Sequence, residues 1–174
     1  TMNMHLSRRG FIGTTMGLGV GLAMAARGGE IAQKNGRDGR LLDTIDCTQE
    51  FGPERFFAKG ETKIVESAAG RYREASSDSF ARFGYRFDIE NIGKPHVAVI
   101  RYPDDKRRYM CIMDGTTYDL STGVFTGWAQ PVSGTMLELR QIFWPRWKDC
   151  SITFMTWGEG EPAAVAGVEI RELE

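Results

Sequence analysis

The sequence predicts an all-β chain, folded as an antiparallel β-sandwich of jelly-roll topology behind a non-globular N-terminal stretch. Three observations predict it. Apolar residues recur at every second position over short runs, the period of a half-buried strand. Turn-forming residues punctuate those runs, giving roughly eight to ten short strands and no convincing long helix. Apolar residues make up 41% and charged residues 26% of the 174 positions, the balance of an ordinary globular protein. An immunoglobulin-like sandwich is the alternative topology.

Residues 1–26 read as an export signal. Ser7-Arg8-Arg9-Gly10-Phe11-Ile12 precedes a run from Gly13 to Ala26 that carries no charge and ends near Ala23-Met24-Ala25. Positive charge, then a modest apolar run, then small residues is the order of a secretory signal. A buried or amphipathic helix is the weaker reading, because Gly13, Gly17, Gly19 and Gly21 make a poor helix interior. Residues 27–40 place Gly28, Gly29, Gly36 and Gly39 among polar side chains, with no apolar period, and read as a flexible linker. Residues 41–174 then carry the sandwich. The net charge is −1, and loss of Arg8 and Arg9 with the signal takes it to −3. Neither total argues for nucleic acid, and the membrane enters only through the signal during export.

Leu41 to Ile45 is the first expected strand. Thr48 to Gly60 reads as irregular, with Phe51, Phe56 and Phe57 available to plug a core edge. Thr62 to Glu66 and Tyr72 to Glu74 are short strands before the Ser76-Ser77-Asp78-Ser79 loop. The strongest pattern is Ala81 to Asp114. Phe83, Tyr85, Phe87 and Ile89 alternate with charged residues, Asn91 to Pro95 breaks the run, and Val97 to Tyr102 turns at Pro103-Asp104-Asp105 to return as Tyr109 to Met113. This reads as three strands of one sheet. Asp114-Gly115 is a turn signal, and Ser121-Thr122-Gly123 reads as the turn of a hairpin joining Tyr118-Asp119-Leu120 to Val124-Phe125-Thr126. Met136 to Trp144 fits both a strand and a helical face, with the strand preferred. Ser151 to Trp157 has apolar residues on both faces and reads as a central strand. Gly158 to Pro162 is a turn, and Ala164 to Ile170 is the closing strand.

Few residues offer chemistry. Cys47, Cys111 and Cys150 and the two histidines, His5 and His96, form no close ligand cluster, so a zinc site is not expected. The three thiols are read either as buried apolar groups or as one disulfide plus one free thiol. His96, after Pro95, is read as structural. No cofactor is expected. A structural calcium ion is compatible with Asp104, Asp114 and Asp119, oxygen donors near turns, although Asp104 and Asp105 read first as turn residues. The best binding candidates are aromatic. A pyranose stacks its C–H bonds on a ring face while charged side chains bond its hydroxyls. Trp144, Arg146 and Trp147 offer that mixture within Phe143-Trp144-Pro145-Arg146-Trp147-Lys148-Asp149, and Trp128, Trp157 and Tyr118 extend it. Core duty for Phe143 and Trp144 is the competing reading.

Two resemblances add to this. Ser7-Arg8-Arg9-Gly10-Phe11-Ile12 resembles the twin-arginine export signal, with Gly13 in place of its usual lysine. That implies export of a folded protein to the periplasm or beyond. Arg82 to Phe87, Gly93 to Val97, Tyr102 to Asp105 and the closing Val168 to Leu173 resemble, in pattern, the galactose-binding-like jelly-roll modules attached to exported bacterial glycoside hydrolases. The resemblance implies a non-catalytic module that binds carbohydrate or supports a catalytic domain. A further domain after Glu174 is expected because the sequence stops straight after its closing strand, and the chain alone is expected to have no reaction centre. The alternatives are a small exported hydrolase, using a carboxylate pair and His96, and a surface protein-interaction module.

Overall fold

A computed structural model describes residues 39–114, 122–158 and 161–174, which form twelve β-strands and no helix. In chain order these are β1 (Arg40–Asp46), β2 (Phe56–Lys59), β3 (Thr62–Ser67), β4 (Gly70–Ala75), β5 (Arg82–Asp88) and β6 (His96–Asp104). They continue as β7 (Arg108–Met113), β8 (Thr122–Thr126), β9 (Thr135–Phe143), β10 (Asp149–Thr156), β11 (Ala164–Val165) and β12 (Gly167–Glu172). One sheet has the order β1-β12-β6-β9, the second β2-β5-β10-β7-β8, and a small third sheet β11-β4-β3.

Eight of these strands carry the topology. Strands β1 and β12 pair first with last, β5 and β10 second with seventh, β6 and β9 third with sixth, and β7 and β8 fourth with fifth, all antiparallel. Nested pairing of that kind is a long hairpin ribbon rolled on itself, the jelly roll, and it replaces the immunoglobulin-like alternative. The core lies between the two larger sheets. Phe83, Tyr85, Met110, Ile112, Ile152 and Phe154 of one face Ile45, Ala98, Ile100, Val168 and Ile170 of the other, all buried. Phe87 of β5 meets Phe143 of β9 edge to face, with ring centroids 6.2 Å apart.

Four expectations need correction. Ala81 to Asp114 is not one sheet: β5 and β7 flank β10, whereas β6 lies in the opposite sheet between β12 and β9. The connection at Asp105–Arg107 therefore crosses between layers instead of reversing within one. It is held there because Asp104 accepts the Ser133 N–H at 2.7 Å, while Asp105 accepts bonds from Tyr72 Oη at 2.7 Å and Arg108 at 3.1 Å. Pro103 is tolerated inside β6 because β12 stops pairing at Arg101, leaving β9 as its one neighbour. Ser121-Thr122-Gly123 is not a hairpin turn either. Thr122 and Gly123 lie within β8, and Gly123 sits opposite Cys111 beneath the rings of Tyr109 and Phe125. Residues 115–121 lie outside the described residues. The stretch expected to be irregular contains β2, whose Phe57 lies over Gly84; a Cβ there would come within 2.5 Å of that ring. Last, the closing strand is interrupted at Ala166, so that β11 joins the small sheet and β12 the larger one. The Met136–Trp144 stretch is a strand, and β10 is central, as read from sequence.

Candidate functional site

The expected binding residues separate. Trp128 follows β8, whereas Trp144, Arg146 and Trp147 follow β9. The nine residues of β9 intervene, and at about 3.3 Å per residue the two groups lie roughly 30 Å apart, at opposite ends of the sandwich. Trp144 and Trp147 are 60% and 61% exposed, whereas Phe143 turns into the core. Tyr118 and Asp119 lie outside the described residues. Trp157, the first residue after β10, joins Trp128 at its end of the molecule.

That end gathers rings that the sequence reading did not single out. Register places Tyr109 of β7 opposite Phe125 of β8, so both side chains leave the same outer face. Their rings stack at 4.0 Å and 25°. Trp157 donates its backbone N–H to the Tyr109 carbonyl at 3.0 Å, which brings its ring to 6.5 Å from Tyr109. Phe80 packs edge-on against Trp157 at 5.2 Å, and its φ of 62° makes it the non-glycine residue with left-handed backbone among the described residues. That conformation carries a strain cost, typically sustained by surrounding contacts.

Beside this row is a recess of about 460 Å³ lined by Phe125, Trp128, Tyr102, Leu137, Asp104 and Gln130, among others. Phe125 has one face on Tyr109, which leaves the other for the recess. Trp128 stands at 80° to Phe125, 6.3 Å away. Its Nε1 donates to the Arg108 carbonyl at 3.0 Å, and the Arg107 guanidinium covers one ring face at 3.7 Å. Tyr102 and Leu137 are cross-strand partners on β6 and β9 and form the facing wall. Burial raises the Tyr102 phenol above its ordinary pKa, reinforced by the charge of Asp104, so its hydroxyl stays protonated at neutral pH. The recess therefore combines two ring surfaces at right angles with a phenol, a carboxylate and an amide. Its volume lies within the usual range for small-ligand sites. The sequence signal for Phe125 and Tyr109 was their strand alternation, but only the register shows that they share one face.

Two buried arginines hold connections between strands, Arg108 beside the recess and Arg73 at the β1–β2 connection. Arg108 donates to Glu74 at 2.9 Å, to Tyr72 Oη at 3.1 Å and to Asp105 at 3.1 Å, and also to the Pro162 carbonyl. Arg73 donates to the carbonyls of Cys47 and Gln49, to Thr62 and to Glu50, each within 3.0 Å. Asp104 does not converge with Asp114, which lies past the far end of β7. Among the described residues, no group of three or more His, Cys, Asp or Glu side chains is arranged to hold a metal ion. Cys47, Cys111 and Cys150 are buried and unbridged. Burial pushes the Cys47 thiol up to about 12 and the Cys150 thiol up to about 11, so neither is a nucleophile at neutral pH. His96 is buried, with Nδ1 2.9 Å from the Lys94 carbonyl.

No family model and no curated protein sequence matches the chain. Solved structures do. The C-terminal family 6 carbohydrate-binding module of LamC, a marine laminarinase from Zobellia galactanivorans, superposes with a TM-score of 0.52 at 6% identity, over 75% of this chain and 98% of the module. A family 35 carbohydrate-binding module from Clostridium thermocellum gives 0.51 at 10% identity, over 74% and 98%. This chain shares the fold of those modules. An exo-β-1,3-galactanase from Phanerochaete chrysosporium, solved with β-1,3-galactotriose, gives 0.51 at 14% identity over 74% of this chain. The match spans 29% of that galactanase's length. The jelly roll expected from sequence is thus the observed fold, and at these identities the likeness concerns the fold alone.

Proposed function

We propose that this chain is a non-catalytic carbohydrate-binding module of an exported bacterial protein, taking a sugar in the Phe125–Trp128 recess. The observation that carries this reading is the free face of Phe125 set at a right angle to Trp128, beside Tyr102, Asp104 and Gln130. A pyranose is amphipathic in the same sense: its axial C–H bonds suit the ring, and its hydroxyls suit the phenol, carboxylate and amide. The fold supports the reading, since the modules from Zobellia and Clostridium are named as carbohydrate-binding. Attachment to a glycoside hydrolase follows from the same likeness. Export through the twin-arginine route rests on Ser7-Arg8-Arg9-Gly10-Phe11, with residues 1–26 as the signal and 27–40 as the linker.

A second reading places the ligand on the 144–147 loop, because Trp144 and Trp147 are more than half exposed. Glycan-array screening followed by calorimetry separates the two. Phe125→Ala is expected to weaken binding at least ~10-fold, as loss of a buried aromatic anchor does, while Trp147→Ala leaves it unchanged. The reverse pattern would move the site to the loop. Absence of any glycan ligand would favour the protein-interaction alternative, and turnover of a glycan would favour the hydrolase.

A further inference from the structure

The outward face of the four-stranded sheet has a recess of its own, of about 340 Å³. Its origin is a missing side chain. Register sets Asp46, Gly167, Arg101 and Glu138 in one row across β1, β12, β6 and β9, so Gly167 leaves a gap between Asp46 and Arg101. The adjacent row is Thr44, Glu169, Val99 and Arg140, with Val99 as an apolar floor. Arg71 of β4 also lines the space.

The acids here are already occupied. Glu169 accepts two bonds from Arg171, at 2.7 and 2.9 Å. Asp46 accepts the Thr48 N–H at 2.9 Å, the Thr48 hydroxyl at 2.7 Å and Gln49 at 3.2 Å. Glu138 pairs with Arg140 at 3.6 Å. Arg71 and Arg101 remain. Among the described residues, neither side chain makes a hydrogen bond or an ion pair, and Arg71 reaches Asp46 only as a more distant charge. Two guanidinium groups thus flank one recess with their donor forks unused. A guanidinium fork matches a planar or tetrahedral oxyanion by paired hydrogen bonds. The space is at the low end for a small-ligand site, about one sugar residue.

We propose that Arg71 and Arg101 form a second binding site, on the sheet face, for the carboxylate or sulfate group of an acidic glycan. The sugar carrier rests on the function proposed above; the oxyanion does not. Calorimetry and affinity electrophoresis with polygalacturonate, a sulfated galactan, neutral galactan and sodium sulfate test it on the full chain. Both side chains are exposed, so Arg71→Ala and Arg101→Ala should fold, which circular dichroism checks. The expected result is that an acidic polymer binds with affinity falling as salt rises, and that each single variant binds it at least ~10-fold more weakly. Phe125→Ala retains that binding, and the double arginine variant retains any binding of neutral galactan. Loss of acidic binding in Phe125→Ala would instead assign both ligands to one site and overturn the proposal. Equal acidic binding by wild type and the double variant, or none by wild type, would also overturn it. Sodium sulfate binding as tightly as the polymers would remove the glycan and leave a site for free oxyanions.

Discussion

Arg108 shows how much of this molecule depends on single buried charges. Its side chain is 3% exposed and that of Glu74 2%. Removing one member of such a pair strands the other in a low-dielectric interior, at a typical cost of about 3–5 kcal/mol. Arg108→Ala is therefore expected to lose that much stability in urea melts, whereas Lys106→Ala, at an exposed charge near the same Glu74, should lose under 1 kcal/mol. Asp105 belongs to the same cluster and sets a pH dependence. Burial would raise its carboxyl, but hydrogen bonds from Tyr72 and Ser67 and the bond and charge of Arg108 hold it below the ordinary carboxylate value. A depressed folded pKa gives stability that is complete above the unfolded value, near 3.9, and lost as pH falls through the folded one. Asp105→Asn should thus be less stable than wild type at pH 7 and 5, with the difference shrinking at pH 3. A difference that does not change with pH would remove ionisation as the cause.

At the scale of elements, two pairs of neighbouring strands offer sharp tests. Gly84 of β5 admits no Cβ, because Phe57 of β2 and the Ile152 carbonyl of β10 would each lie 2.5 Å away. Ile152 O is backbone and cannot yield without disturbing β10. Gly84→Ala should cost about 1–3 kcal/mol as an overpacking change, read as a lowered midpoint in chemical denaturation. Asp88 and Asp149 end the β5–β10 ladder directly opposite each other, both exposed. Like charges in that position destabilise a sheet. Asp149→Asn should raise the melting temperature at low salt, with the gain fading as salt screens the pair. These elements were partly legible in the sequence. The alternation of Phe83, Tyr85 and Phe87 announced β5, and β10 read as central because both its faces are apolar. The partner of Gly84 was hidden, since β2 is four residues long inside a stretch with no clear period.

Over the whole molecule, the strand β9 keeps two aromatic groups apart. Trp128 and Phe125 sit at one end and Trp144 and Trp147 at the other, so substitutions at the two ends should act independently. The free-energy changes of Phe125→Ala and Trp147→Ala, for both stability and ligand binding, are expected to add within about 0.5 kcal/mol in a double-variant cycle. A larger coupling would mean that one ligand or partner bridges both ends. The candidate site itself was half legible. Trp128 and Trp157 stood out as large rings near turns, but Tyr109, Phe125 and Tyr102 looked like ordinary strand residues. Trp144 and Trp147 lie five and two residues before β10, and the expected platform that joined them to Trp128 is divided by the nine extended residues of β9.

The sequence by itself determined that most of the described residues are strand, where most strands begin and end, and which side chains of each are buried. Those properties are local: a period of two, a turn residue and a charged face are written within a few positions. Only the tertiary structure decided which layer each strand joins, because both inner faces are made of the same apolar residue types and alternation carries no label for a sheet. That is why β6 was read as the partner of β5 and β7 when it lies across the core from them. The same limit applies to both recesses, since each is bounded by residues on three or more strands that only the rolled ribbon brings together.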